Sequence, residues 1–263
     1  GDERFRREFD CEFLIFDETL INSVKLATLE GKEPIMNTGQ TRWYSKINPK
    51  ATHLIALDPS LGTGGDYAAI QVFEMPAMKQ VGEWRHNLTP VQQQVRVLQD
   101  ILKYITNEQT AAGNSNPTVY YSVENNTLGE AALVTISDIG EENFQGLFLS
   151  EPIRKGHVRR YRKGFNTTHK TKITACSLFK NALEKDKLSI SSKPLISELK
   201  TFVATGVSYN AKTGEHDDLV SAVLLIMRMA DQLANWDPKI YEKMTERMTD
   251  DEYPLPIFVS GGF

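Results

Sequence analysis

The order of apolar segments predicts a mixed α/β sheet with helices on both faces. Three apolar stretches, residues 53–58, 66–73 and 80–86, follow one another across short turns, the pattern of an antiparallel meander. A long amphipathic stretch comes next, with Val91, Val95, Leu98, Leu102 and Ile105 on one face. Beyond it, short apolar runs alternate with helical patterns.

Residues 1–50 lack a strong period and read as a tether or small subdomain wrapped on the main fold, which is expected to begin near Asn48. The first meander strand ends in Asp58, after which Pro59, Gly62, Gly64 and Gly65 reverse the chain. Met75-Pro76-Ala77 separates the second strand from the third. Thr89 is the expected N-cap of the long helix, with Pro90 in its first turn. A loop over 112–117 leads to a strand at 119–123, followed at once by Glu124. A helix is expected from 127 to about 137 and a short strand at 147–149. After a basic segment come a helix at 171–186, a brief strand at 188–190 and a helix at 195–203 opened by Pro194. Residues 207–209 suit an edge strand and 210–214 a turn. His216-Asp217-Asp218 then introduces an apolar helix carrying Leu219, Val223, Ile226 and Met227. The tail beyond Pro238 is expected to be loosely held.

Composition narrows the function classes. With 263 residues, 40% hydrophobic and 24% charged, the chain can bury a full core, and no apolar run is long enough to span a bilayer, so no membrane role is expected. The opening, with Arg4, Arg6 and Arg7 among acids, is charged where a signal peptide needs an apolar segment. Cys11 and Cys176 have neither metal-ligand spacing nor a disulfide framework, which fits a reducing compartment and excludes a Cys-built zinc site. The chain starts on Gly1 and reads as a piece of a longer protein.

Asp58, Glu124 and the pair Asp217-Asp218 share one feature: each stands at the boundary of an apolar element. Asp before Pro also starts turns, and Asp at a helix start is a favoured cap, so each acid has a structural reading of its own. Brought together, they would repel one another and hold their protons unless a divalent cation neutralised them. An all-oxygen ligand set suits Mg²⁺ or Mn²⁺, and two such ions can activate water and stabilise the leaving oxygen of a phosphodiester. Asp66 is either an assisting acid or a turn residue, and His216 either touches water or phosphate or is structural.

The net charge of −4 hides one cationic patch. Arg154, Lys155, Arg159, Arg160, Arg162 and Lys163 are continued by Lys170 and Lys172, with no acid between Glu151 and Glu184. This composition suits a loop or hairpin along a phosphate backbone, with Tyr161 available for stacking, and nothing in it resembles a base-reading motif.

Leu-Asp-Pro-Ser at 57–60 with its glycine turn and Asp66, Ser-Val-Glu-Asn-Asn at 122–126, and Gly-Glu-His-Asp-Asp-Leu-Val at 214–220 before an apolar helix together resemble the C-terminal nuclease domain of the large terminase subunit of tailed bacteriophages. Thr-His-Lys-Thr-Lys at 168–172 and Glu-Lys-Asp-Lys-Leu at 184–188 resemble the branch from large myoviruses. The likeness covers about 48–231, and residues 5–13 resemble the join that follows that family's motor domain.

The resemblance implies a ribonuclease H-like fold, with a linker at 1–47, a nuclease domain at 48–235 and a tail at 236–263. It also implies a divalent-metal-dependent endonuclease that cuts concatemeric viral DNA during packaging, with Asp58, Glu124 and Asp218 as the catalytic acids. Asp217 joins them as a metal ligand, two Mg²⁺ or Mn²⁺ ions are bound, and Asp66 and His216 assist. The implied partners are double-stranded DNA, an ATPase domain of the same protein, the portal and the small terminase subunit, on the procapsid in the host cytoplasm. No G-x-x-x-x-G-K-[ST] loop is present, so the motor is not expected in this chain. The residues leave two other readings open: a phosphotransferase of the actin and sugar-kinase type, which shares the meander, and a non-catalytic module that docks on DNA or the portal.

Overall fold

The structure, a computed structural model, describes residues 18–155 and 158–236; at 127, 153–155, 158–162 and 236 it describes the backbone alone. The stretch that resembles the motor join and the tail beyond Pro238 lie outside the described residues.

One seven-stranded sheet organises the fold. Its strands are β1 (Met36–Thr38), β2 (Thr41–Trp43), β3 (Thr52–Asp58), β4 (Ala68–Met75), β5 (Lys79–His86), β6 (Val119–Val123) and β7 (Leu147–Phe148), in the spatial order β1-β2-β5-β4-β3-β6-β7. The β3-β4-β5 meander is antiparallel, as the sequence predicts, and β6 joins β3 in parallel. Strand β3 is covered on both faces, which explains why it reads as a continuous apolar run and not an alternating one. Leu54 and Ala56 point into one core and Ile55 and Leu57 into the other.

The helices are α1 (Ser23–Thr28), α2 (Val91–Ala111), α3 (Thr127–Ile139), α4 (His169–Glu184), α5 (Lys193–Thr201) and α6 (Asp218–Trp236). The core on the Ile55 face takes Val95, Leu98 and Leu102 from α2 and Ala132 and Ile136 from α3. The opposite core takes Phe179 from α4, Leu195 and Leu199 from α5, and Leu219, Val223 and Ile226 from α6. No described helix is long and apolar enough to cross a membrane.

Several local expectations change. Pro90, not Thr89, is the N-cap residue of α2, and it makes no side-chain cap bond. The Thr89 hydroxyl is instead 2.7 Å from His86 Nδ1. Helix α4 starts at His169 because Thr168 and Thr171 form a reciprocal capping box. Residues 188–190 form no strand; Ser189 makes a single bridge to Lys79. Helix α5 stops at Thr201 because Phe202–Thr205 becomes β10, which turns through Gly206 (φ +61°) and pairs with β11 (Ser208–Ala211) apart from the main sheet. The basic segment is a hairpin, β8 (Glu151–Lys155) with β9 (Val158–Arg162).

Residues ahead of the expected start at Asn48 belong to this fold. They supply β1 and β2, fully buried Leu20 and Ile21, and Trp43, packed against Gly82 so closely that a Cβ there would fall 2.7 Å from its ring. Glu83, on β5, is wholly buried. Its carboxylate receives Arg42 at 2.8 Å, and the Tyr44 and Ser192 hydroxyls at 2.7 Å each. Ser192 is also the N-cap of α5, so this network fastens that helix to the sheet. Its partners are several and directed, as a buried charge requires. Glu83→Ala is expected to destabilise the chain by roughly 3–5 kcal/mol, measured by denaturant unfolding, because it strands Arg42 beside buried hydroxyls.

Candidate active site

Parallel pairing sets the first two acids side by side. Leu57 lies opposite Val123, so Asp58 and Glu124 leave the sheet at the same edge. The Glu124 N–H donates to Leu57 C=O at 2.9 Å, which holds the two strand ends in register. Helix α6 packs across β3 and β4 and starts at Asp218, so the third acid arrives from the layer above. These three, with Asp66, Glu215 and Asp217, line one cavity of about 400 Å³, and among the described residues no lysine or arginine is in its wall.

The acids perturb one another. The Asp58 carboxyl sits well above the usual range because it is desolvated, and because the Glu124 charge and a hydrogen bond with Glu124, then Asp218 and Asp217, favour its proton. Burial pushes Asp218 up to about 6, against the Tyr67 backbone N–H and His216, which pull it down. Asp218 Oδ2 is buried without a hydrogen-bond partner, and His216 Nδ1 stands 3.4 Å away.

Residues that the sequence reading missed hold this arrangement. Asn126 caps α3, its Oδ1 accepting from Leu128 N at 3.0 Å and Gly129 N at 2.9 Å, while its Nδ2 donates to Glu124 Oε2 at 3.1 Å. A Cβ on Gly129 would lie 1.8 Å from Glu124 O, so only glycine lets α3 approach the acid this closely. Asn at a helix start is a legible cap signal; the contact with Glu124 is not.

The N-terminus of α6 is held from another helix. Glu198 of α5 is 5% exposed, and its Oε2 accepts from Leu219 N at 2.9 Å and Val220 N at 3.1 Å. Its Oε1 accepts from Arg85 at 2.7 Å. Burial pushes Glu198 up to about 8, opposed by the Val220 N–H and Arg85. Arg85 lies 4.4 Å from the Tyr67 ring centre, and Tyr67 meets His216 edge to face at 4.9 Å. His216 is thus packed into a row that ends at Asp218.

Asp217 turns the other way. Its Oδ2 accepts from Ala211 N at 3.3 Å and stands 3.9 Å from Lys172 Nζ, so it neither caps α6 with its side chain nor faces Asp218 alone. Lys172, expected on DNA, is also bonded to Asn210 at 2.8 Å. Lys170 is exposed in the first turn of α4, and Lys163 is exposed, 3.2 Å from Glu141. Arg154 and Lys155 lie on β8 and Arg159, Arg160 and Arg162 on β9; their side chains lie outside the described residues. The hairpin is rooted beside Glu124: Phe165 N donates to Val123 O at 3.0 Å, and Asn125 N to Phe165 O at 2.8 Å.

The donor set fits a hard divalent cation. An acid-lined cavity, a buried Asp58 carboxyl whose proton is favoured by desolvation and by the Glu124 charge, and an orphaned, buried carboxylate oxygen are what such an ion relieves. Among the described residues no group of three or more Asp, Glu, His or Cys side chains stands close enough together to hold a metal ion.

Two expectations follow. Asp58 and Asp218 bind protons more tightly folded than unfolded, so the metal-free chain loses stability as pH rises from the ordinary carboxyl range through about 6, and Glu198 extends the loss toward 8. Melting temperatures in chelator should fall over that window, and Asp218→Asn should flatten the fall near pH 6. Glu198→Ala leaves two helix amides and Arg85 without their acceptor and should cost about 1–3 kcal/mol in denaturant unfolding, with Glu198→Gln losing less.

Residues 55–230 match the family described as Terminase RNaseH-like domain. The fold is similar to that of the large terminase nuclease from thermophilic phage G20c with bound magnesium, at 16% identity over 81% of this chain and 97% of that one, with a TM-score of 0.59. The same nuclease with bound cobalt matches with the same identity, coverage and score. The large terminase nuclease domain of Thermus phage P74-26 matches at 17% identity over 78% of this chain and 93% of that one, TM-score 0.54. The seven-stranded sheet with its parallel β3-β6 pair is thus the ribonuclease H-like fold, and the chain belongs to the terminase RNaseH-like domain family.

Proposed function

We propose that this chain is a divalent-metal-dependent DNA endonuclease domain that cuts viral DNA during genome packaging. The observation that carries this is the cavity in which Asp58, Glu124 and Asp218 converge from two strands and a helix, with no lysine or arginine among the described residues of its wall. That the related G20c nuclease holds magnesium or cobalt supports the reading. Asp58, Glu124 and Asp218 would hold the ions, Mg²⁺ or Mn²⁺ and two in number, with Asp217 at the margin beside Lys172. A divalent ion bound there supplies Lewis acidity toward a phosphodiester and eases deprotonation of water.

The chain's own groups do the rest. Asn126 fixes one oxygen of Glu124 and leaves the other for the cavity. The Tyr67 N–H and His216 orient Asp218, and Asp66 stands at the entrance. Arg154, Lys155, Arg159, Arg160, Arg162 and Lys163 on the hairpin rooted beside Glu124, with Lys170, would neutralise backbone phosphates, which gives contact without sequence preference. The partners in this reading are double-stranded DNA, an ATPase domain of the same protein, the portal and the small terminase subunit, on the procapsid in the host cytoplasm.

Supercoiled plasmid incubated with the chain in Mg²⁺ or Mn²⁺ should be nicked and linearised, and chelator should stop it. Asp58→Asn and Asp218→Asn should each lower the rate at least 100-fold while the far-ultraviolet spectrum stays unchanged. A folded chain that binds DNA and cuts in neither metal would overturn the reading.

A further inference from the structure

Two exposed leucines stand beside the acid cavity: Leu61 lines it, and Leu88 lies next to Gly64 of the same loop. Leu61 is 62% exposed and Leu88 63%. Leu61 follows Asp58 by three residues and lines the cavity itself. Leu88 belongs to the loop after β5, which emerges at the same sheet edge because β3 and β5 both run antiparallel to β4.

The two loops are tied into one unit. Gly64 N donates to Asn87 O at 2.8 Å, and Asn87 Nδ2 donates to Gly64 O at 3.2 Å. Gln94 of α2, wholly buried, clamps both loops from beneath: its Nε2 donates to Ser60 O at 2.8 Å and Thr89 O at 2.7 Å, and its Oε1 accepts from Ser60 N at 3.3 Å. Gly62, at φ +71°, passes so close to Thr89 that a Cβ would lie 2.1 Å from its carbonyl oxygen. The backbone of both loops is thus fixed, and Leu61 and Leu88 stand on it with their side chains exposed.

We propose that Leu61 and Leu88 form an apolar wedge that enters the minor groove of the duplex being cut and parts a base step beside the scissile phosphate. This rests on the nuclease reading. A cavity of about 400 Å³ admits a phosphate and its sugar but not a duplex, so the bases flanking the reacting phosphate lie on the rim where Leu61 stands. An uncharged side chain on that rim meets sugar edges and base faces, not phosphate. Leucine inserted between base steps is an established way to unstack and kink DNA, and it asks for no particular sequence. Positive charge on the β8-β9 hairpin would hold the backbone while the wedge opens the step.

The test uses the 263-residue chain carrying Asp58→Asn, which binds without cutting, in Mg²⁺ with a 30-base-pair duplex that holds 2-aminopurine at successive positions. Saturating protein is expected to raise 2-aminopurine fluorescence at least twofold at one or two adjacent steps. Adding Leu61→Ala and Leu88→Ala should abolish that rise with an unchanged melting temperature, and adding Leu61→Met and Leu88→Met instead should retain it. Equal fluorescence from the alanine variant, or no rise from the parent although anisotropy shows the complex, would overturn the wedge. Plasmid cleavage by the chain with Asp58 intact, run in parallel, separates the two ideas: cutting without unstacking sinks the wedge alone, and absence of cutting sinks the nuclease reading beneath it.

Discussion

The carboxyl group of Glu198 determines where the third acid can be. It receives the first free amides of α6 and the guanidinium of Arg85. In doing so it joins α5, β5 and the start of α6 at one buried point. Acids gathered in one cavity push one another apart, and a helix end left to itself would fray away from that repulsion. Held by Glu198, the end cannot withdraw. The positive end of the helix and the Tyr67 N–H partly offset the charge of Asp218, and its Oδ2 remains unpartnered.

The same logic governs Glu124, with different parts. Asn126 has two duties, closing the start of α3 and bonding Glu124 Oε2, so the acid is as fixed as the helix. Gly129 permits the contact, since any side chain there would meet the Glu124 carbonyl. Asp58 and Glu124 come from adjacent parallel strands whose register is set by backbone bonds, so their spacing is a property of the sheet.

Two buried acids outside the cavity, Glu83 and Glu198, contrast with those inside it. Glu83 and Glu198 each have an arginine and further donors, and each fastens one element to another. The cavity acids have one another. With Glu83 and Glu198 each bonded to several donors, the repulsion among the cavity acids is left where a divalent cation can relieve it. The exposed leucines at the rim follow the same division, held rigidly by Gln94 and Gly62 but left without a partner of their own.

How far the sequence alone carried this protein depends on range. The meander, the long helix after Pro90 and the strand before Glu124 were legible because periodicity and turn chemistry act over a few residues. Asp58, Glu124 and Asp218 stood out for the same reason, each at a boundary of an apolar run. Tertiary structure decided the rest. Residues 18–47 joined the fold because Leu20, Ile21 and Trp43 bury against partners far along the chain, which no local pattern reveals. The helix expected to run through Val203 stopped at Thr201 because Phe202 and Val203 bury in a hairpin with β11. Asp217, an evident cap by its position, gave that duty to Glu198, a glutamate inside an ordinary amphipathic helix nineteen residues earlier. Local chemistry placed the charges, and only long-range packing decided which were paired and which were left facing one another, because pairing depends on distances the chain sets when it folds.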